Sequence, residues 1–132
     1  MALVVRATNV SLDMGQALHA PQIPDVLAGE DLAIGAPCHI DHGGLVRLSN
    51  ATNADADAAV HGFAARNAKA GEPITLLGIG TRFHYAAGTL TPGTPLYLAA
   101  ADGRLDDAPT VGDPTGIAFA VDDSDIVIKA YK

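Results

Sequence analysis

The sequence has few of the residues that cross-link a small protein or give it positive charge. Its 132 residues include one cysteine and no tryptophan, and 5% are aromatic. Cys38 cannot form an internal disulfide alone, so nothing points to an oxidising compartment. The 8 lysines and arginines face 15 aspartates and glutamates, a formal net charge of −7. No apolar run approaches the roughly 18 residues of a spanning helix. We therefore predict neither direct nucleic-acid binding nor a membrane partner.

Glycine and proline, by contrast, are frequent. The 14 glycines and 8 prolines favour many short elements joined by tight turns. The length suits one domain, because most domains have about 100–150 residues. A chain of this size buries about two-thirds of its unfolded surface, so its core needs no metal or disulfide for stability.

An internal repeat from Ala28 onward is the most informative feature of the sequence. Four landmarks recur in the same order in units of about 50 residues, at 28–77 and 86–130. The matched pairs are Leu32–Ile40 with Leu90–Leu98, Gly44–Val46 with Gly103–Leu105, Gly62–Ala64 with Gly116–Ala118, and Pro73–Leu76 with Asp125–Ile128. Because each unit is too short for a comfortable core of its own, we expect the two units to share one.

The pattern within each unit predicts β-strands. A Gly-x-Pro turn at Gly35 or Gly93 precedes an apolar run, and a glycine-bearing hairpin turn follows it. Apolar and polar residues alternate strictly through 81–85, as in a half-buried strand. The segment 51–59 could form one helical turn, but helical periodicity is not sustained anywhere. We predict an all-β single domain, sandwich-like or barrel-like, with about nine short strands.

Residues 1–27 differ from the repeat. The segment 3–12 is extended and apolar, and Pro21 and Pro24 oppose both a helix and a central strand. We predict an N-terminal arm and proline-containing connector at 1–27, followed by the β-rich domain at 28–132. The alternative is that residues 3–12 are the first strand of that domain.

Several residue clusters could carry chemistry, but each also has a structural interpretation. Cys38–His42 holds four possible zinc ligands, yet it reads equally as a strand entering a turn. Asn53–Asp57 lacks the glycine and the glutamate of a calcium loop, and Asp122–Asp125 fits a turn. No serine lies in a nucleophile elbow. We predict no catalytic residues, no metal site and no cofactor.

The repeat resembles the decoration proteins of tailed-bacteriophage heads, also called cement or capsid-stabilising proteins. The resemblance covers about residues 28–130. The segments that carry it are Ala28–Pro37, Val60–Ala65, Gly71–Leu76, Ala87–Leu98 and Gly112–Ile128.

The resemblance implies a β-tulip type of fold and a homotrimer on the outer surface of the virion capsid. Its partner would be the major capsid protein, whose subunits it would bridge to stabilise the DNA-filled head. An N-terminal arm often makes the contact in this family. The capsid-binding residues implied here are Ala2, Leu3, Val4, Val5, Arg6, Ala7, Thr8, Asn9 and Val10. They could add a strand to an exposed sheet edge of the capsid.

Two other functions stay open from the sequence. The chain could be the base of a head fibre or a carbohydrate-binding β module, with Tyr85, Tyr97 or Tyr131 stacking on a sugar. It could also be a small metal-dependent enzyme. The ligands would then come from Cys38, His39, His42, His61 and His84.

Overall fold

The fold is all-β. A computed structural model of the protein describes residues 3–11 and 22–132, in which eleven strands and a 3-10 helix are found. The strands are β1 (Arg6–Ser11), β2 (Gln22–Ala28), β3 (Pro37–Ile40), β4 (Leu45–Leu48), β5 (Gly62–Ala64), β6 (Pro73–Leu77), β7 (Arg82–Ala86), β8 (Pro95–Leu98), β9 (Leu105–Asp106), β10 (Ala118–Ala120) and β11 (Asp125–Ile128). The helix spans Ala56–Ala58. The predicted all-β fold class is confirmed.

Five strands from the first half of the chain close into a barrel. Their order is β2-β4-β3-β5-β6, and every pair is antiparallel except β2 with β4. The parallel pairing of Leu27 with Leu45 and of Ala28 with Val46 closes the barrel. The closure involves the last two residues of β2 and the first two of β4.

The second half forms a curled six-stranded sheet in the order β1-β7-β11-β10-β8-β9. An isolated bridge between Leu3 and Asp106 brings the start of the chain to β9 at the far edge. The Val4 N–H donates to the Leu105 carbonyl beside this bridge, at 3.0 Å. The N-terminal segment therefore touches both edges of this sheet.

The two halves have the same strand pairing, as a duplication would. Strands β3, β4, β5 and β6 pair among themselves as β8, β9, β10 and β11 do. Connecting backbone hydrogen bonds also repeat. The matched bonds are Gly35 N to Ala64 O with Gly93 N to Ala120 O, Ala36 N to Ala33 O with Thr94 N to Thr91 O, and Asp41 N to Leu45 O with Ala99 N to Arg104 O.

The hydrogen bonds align part of the two repeat units differently from the sequence comparison, with a difference of two residues. Ala64 donates to Ala36, and Ala120, rather than Ala118, makes the equivalent bond to Thr94. The side chains of a strand alternate with a period of two, so a two-residue shift keeps the same face inward. The apolar pattern therefore could not distinguish the two alignments.

Buried residues form two cores of different character. The barrel interior holds mainly small and aliphatic side chains: Ala28, Leu32, Ala36, Cys38, Val46, Ala64, Ala68, Ile74 and Leu76. The second core holds Phe63, Phe83 and Tyr85, whose rings meet edge to face with centroids 5.9 and 6.1 Å apart. Phe63 and Leu77 belong to barrel strands, so this second core joins the two halves.

The described parts of segment 1–27 lie in the two sheets. Residues 6–11 form β1 against β7, as in the alternative of a first strand. Residues 22–27, expected as connector, belong to β2 of the barrel. The strand accommodates Pro24 through a bulge between Ile23 and Val26, where Asp25 takes a positive φ of 63°. Residues 12–21 of the predicted connector lie outside the described residues.

Candidate binding surface

The segment before β1 alternates between buried and exposed side chains. Val4 and Ala7 pack inward, at 7% and 8% exposure, whereas Leu3 and Val5 are 41% and 64% exposed. The inward pair anchors the segment on the second sheet. The outward pair places apolar surface where a partner could cover it.

Two arginines hold this segment in place. The Arg104 side chain donates to the Val4 carbonyl at 3.3 Å, from the loop that precedes β9. The half-buried Arg6 donates to the Ile34 carbonyl at 3.4 Å, across to the first half of the chain. The segment therefore bridges both halves, which explains why it lies on the domain.

A shallow groove runs beside the exposed residues. Its volume is about 180 Å³, and its lining residues are Leu3, Val4, Val5, Thr89, Leu90, Thr91 and Asp107. Leu90, which lines the groove, is partly buried and packs against the second core. The walls combine leucine and valine side chains with threonines, which suits an extended segment of a partner.

Strand β1 is the terminal strand of the curled sheet. Among the described strands it has one hydrogen-bonded neighbour, β7. Leu3 and Val4, just before it, already pair with β9, so a further strand could be added only along β1 itself. Of the residues predicted to bind the capsid, those at 6–10 thus lie in the terminal strand, and those at 3–5 lead into it beside β9.

The nine predicted binding residues do not share one environment. Leu3, Val5 and Thr8 are exposed and Arg6 is half-buried. Val4 and Ala7 are buried and unavailable to a partner while the segment keeps this position. Asn9 and Val10 belong to β1, and Ala2 lies outside the described residues.

Cys38 is part of the barrel core. Its Sγ donates to the Ala36 carbonyl at 3.3 Å, and burial raises the pKa of the thiol to about 12. A thiolate is the form that binds metals and attacks electrophiles, so this position opposes both roles. The cysteine fills space in a narrow barrel.

Asp41 organises the turn between β3 and β4. Its carboxylate accepts from the backbone N–H groups of Gly43 and Leu45, and it accepts from Arg47 Nε at 2.7 Å. The hydrogen bond from the Arg47 guanidinium, followed by the bond from the Leu45 N–H, holds the pKa of Asp41 below its ordinary value. The Asp41 carboxylate therefore has a structural role in stabilising the turn.

The histidines considered as metal ligands make contacts with different partners. His61 Nδ1 accepts the Ile40 N–H at 2.9 Å, and His84 Nδ1 lies 3.5 Å from Asp125. His42 is exposed in the turn after β3. Within residues 3–11 and 22–132, no three His, Cys, Asp or Glu side chains are grouped to hold a metal ion.

The two acidic clusters cap their own backbone. Asp55 accepts the Asp57 N–H and caps the 3-10 helix. Asp122 accepts the N–H groups of Ser124 and Asp125, and these bonds hold the pKa of Asp122 below its ordinary value. Asp122–Asp125 thus forms a turn, as the sequence predicted, and Asn53–Asp57 leads into the single helical turn considered for segment 51–59.

The three tyrosines proposed for sugar stacking differ in exposure. Tyr85 is fully buried, and burial raises the pKa of its phenol. Tyr97 is partly buried, and Tyr131 is 46% exposed with its hydroxyl accepting the Ile79 N–H. Tyr131 is thus the one exposed residue of the three.

A polar cleft that the sequence did not reveal lies on the first half of the chain. It has a volume of about 360 Å³, and its lining residues are Glu30, His39, Arg47, Leu48, Asn50, Thr52, Asn53, Asp55, Asp57 and Asp102. Asn50 donates to Asp102 at 2.9 Å across its rim, which joins the two halves. The lining comes from distant parts of the chain, so no local motif could have marked it.

Comparison with known proteins places the chain in no family: neither protein-family models nor curated proteins give a match. Among the described residues there is no helix long and apolar enough to cross a membrane.

Proposed function

We propose that this protein is a structural virion protein of a tailed bacteriophage. In this proposal it binds the outer surface of the capsid, bridges major capsid protein subunits and stabilises the expanded, DNA-filled head. The proposal starts from the resemblance of the repeat to head decoration proteins. The structural observation that supports it is the position of β1 at a sheet edge, beside the exposed Leu3 and Val5.

The contact that we propose is strand addition at this edge. A capsid segment would pair with the outer side of β1, and its apolar side chains would cover Leu3, Val5 and Leu90 in the groove. Main-chain hydrogen bonds would give affinity, and the groove would give specificity. The buried Val4 and Ala7 would hold the β1 edge rigid, which lowers the entropic cost of binding.

A homotrimer is part of the proposal. Three linked copies would each engage a capsid site, so that modest single-site affinity gives firm attachment through effective concentration. The net charge of −7 would keep the outer surface of the particle soluble and would not attract free nucleic acid.

Capsid binding by matched variants tests the proposal. The purified protein is mixed with expanded, DNA-filled heads that lack it, and co-sedimentation and heat resistance of the heads are measured. We expect Val5→Asp to lower the affinity at least tenfold, about 1.4 kcal/mol. Val111→Asp, at a valine that is 72% exposed on another loop, should bind as the wild type does.

Two results would count against the proposal. If the wild-type protein neither co-sediments with the heads nor protects them from heat, the function is wrong. If both valine variants bind equally well, the function survives but the β1 edge is not the contact. Native mass measurement of each variant checks that the oligomer is unchanged.

The alternative function is a head-fibre base or a carbohydrate-binding module in virion attachment. Its stacking residues would reduce to Tyr131, since Tyr85 is buried and Tyr97 is partly buried. Binding on a glycan array that Tyr131→Ala abolishes would favour this function over capsid decoration.

A further inference from the structure

The polar cleft contains a buried histidine between two hydrogen-bond acceptors. The His39 side chain is 6% exposed and projects from β3. Its Nδ1 lies 3.5 Å from Ser49 Oγ, and its Nε2 lies 3.7 Å from a carboxylate oxygen of Asp57. The ring thus connects the barrel wall to the 3-10 helix.

The hydrogen bonds around this ring restrict where its protons can lie. The Ser49 hydroxyl donates to the Ala59 carbonyl at 2.6 Å, so its oxygen can only accept from His39. The Asp57 carboxylate likewise can only accept. A neutral imidazole has one N–H and satisfies one of these two acceptors, whereas a protonated ring has two and satisfies both.

The backbone of the loop on the far side of this contact is held beside the end of β4, because the Asn50 N–H donates to the Asp57 carbonyl at 2.8 Å. Its side chains are less constrained. Residues 52–57 are exposed, and the Asp57 side chain is 72% exposed. The bonds at the start of the loop lead to the second half of the chain, from Ala51 N to Ala99 O and from Thr52 Oγ1 to Ala100 O. The contact of His39 with Asp57 therefore ties this loop to β3.

Some of the charged groups around the cleft favour a protonated His39 ring, and others oppose it. The carboxylates of Glu30, Asp55 and Asp102 line it together with Asp57 and favour a positive ring. Arg47 also lines it and opposes a positive ring, although Arg47 is paired with Asp41 at 2.7 Å. Burial of the imidazole opposes charge as well.

We propose that His39 is a proton-dependent tether for the loop 50–58. Protonation of the ring adds a charge-assisted hydrogen bond to Asp57 and draws the 3-10 helix onto the barrel. Loss of that proton leaves one N–H for two acceptors and removes the charge from the contact, so the 3-10 helix is held less tightly while its backbone bond from Asn50 to Asp57 remains. The proposal is independent of capsid binding, because the cleft and the β1 edge share no residue.

Hydrogen exchange at two pH values tests the tether. Protection factors of the Ala58 and Ala59 amides, which donate to Asp55 and Ala56, are measured at pH 5.5 and 7.5 and corrected for intrinsic exchange. Imidazoles ordinarily change protonation within this range, while carboxylates stay ionised. We expect about two- to fivefold greater protection at pH 5.5, the size of an exposed ion pair.

Two variants separate this contact from the other histidines. Asp57→Asn keeps the shape of the side chain and should abolish the pH dependence, since the amide carries no charge. His42→Gln alters an exposed histidine in the adjacent turn and should leave it unchanged. His61 accepts the Ile40 N–H nearby. Any pH dependence that comes from His61 would remain in Asp57→Asn and can therefore be recognised.

The wild-type and variant profiles decide the outcome. Equal protection at both pH values in the wild type would overturn the tether. So would a pH dependence that is the same in the wild type and in Asp57→Asn, because the effect would then come from another group. Circular dichroism of both variants checks that they fold.

Discussion

The two halves of the molecule share one strand pairing but end differently. In the first half, β2 pairs with both β6 and β4, and the barrel closes. In the second half, β7 pairs with β11 as β2 pairs with β6, but its other neighbour is β1. One additional strand therefore converts a closed barrel into a curled sheet with an edge. The half with the edge is the one that offers strand addition.

The cores of the two halves also differ, in the size of the side chains that fill them. A five-stranded barrel has a narrow interior, which alanines, one cysteine and aliphatic side chains fill. The second core contains three aromatic rings, two from the curled sheet and one, Phe63, from the barrel. Because Phe63 of the barrel contributes to this second core, we expect the halves to unfold together.

Truncation of the second core should have the largest effect. Phe83 is 4% exposed and contacts both Phe63 and Tyr85, so Phe83→Ala should lower the free energy of unfolding by about 3–5 kcal/mol. Denaturant titration measures this loss. Phe83→Leu, which conserves more volume, should cost distinctly less. Two separate unfolding transitions in Phe83→Ala would break the idea of a shared core.

Loss of a buried carboxylate in the second half should rank next. Asp113 is fully buried and accepts the N–H groups of Leu98, Thr115 and Gly116. Asp113→Ala leaves these donors without a partner and should cost about 2–4 kcal/mol in thermal or denaturant unfolding. Asp123→Ala, at an exposed position, should stay within about 0.5 kcal/mol of the wild type. Similar losses in both variants would contradict this role of Asp113.

Removal of one of the hydrogen bonds that join the halves should have a smaller effect. Arg6→Ala deletes the hydrogen bond to Ile34 and should cost about 0.5–1.5 kcal/mol. Hydrogen exchange in β1 should rise more than in the barrel strands, because Arg6 lies on β1. A uniform rise throughout the chain would show that Arg6 supports the whole core instead.

Acid should weaken both halves, because each half contains a turn that is held by a carboxylate. Hydrogen bonds hold the pKa values of Asp41 in the first half and Asp122 in the second below their ordinary value of 3.8. Each carboxylate therefore adds stability above about pH 4 that is lost as the pH falls through its lowered pKa.

Asp41→Asn and Asp122→Asn should each flatten the acid limb of the stability profile. Thermal unfolding between pH 2 and 6 measures this effect. Asp25→Asn offers a matched control, since Asp25 is an exposed carboxylate in the bulge of β2. An acid limb that stays as steep in one of these variants as in the wild type would show that its carboxylate does not contribute.

Much of the fold was predictable from the sequence because it depends on local patterns. Gly35 and Gly93 take φ values of 79° and 83°, as the Gly-x-Pro turns require. The strands that follow them lie where the apolar runs predicted. The alignment of the repeat was off by two residues beyond Gly62, since inward-facing positions recur every second residue.

The candidate surface was only partly predictable. The segment 3–10 was singled out for its extended, apolar character, but the inward turn of Val4 and Ala7 depends on contacts with distant residues. The polar cleft was missed altogether, because Glu30, Arg47 and Asp102 come from separate elements. Charged residues at such spacing carry no periodicity that a sequence pattern can reveal.

The sequence by itself determined the all-β class, the turns and the duplication, because each depends on residues near one another in the chain. The tertiary structure alone decided that one unit closes and the other keeps an edge. In the first half β2 pairs with β4, whereas in the second half β7 pairs with β1. These pairings are hydrogen bonds between segments that are distant in the chain. The tertiary structure also decided where the few aromatic residues lie, since three of the six gather in the core that joins the halves.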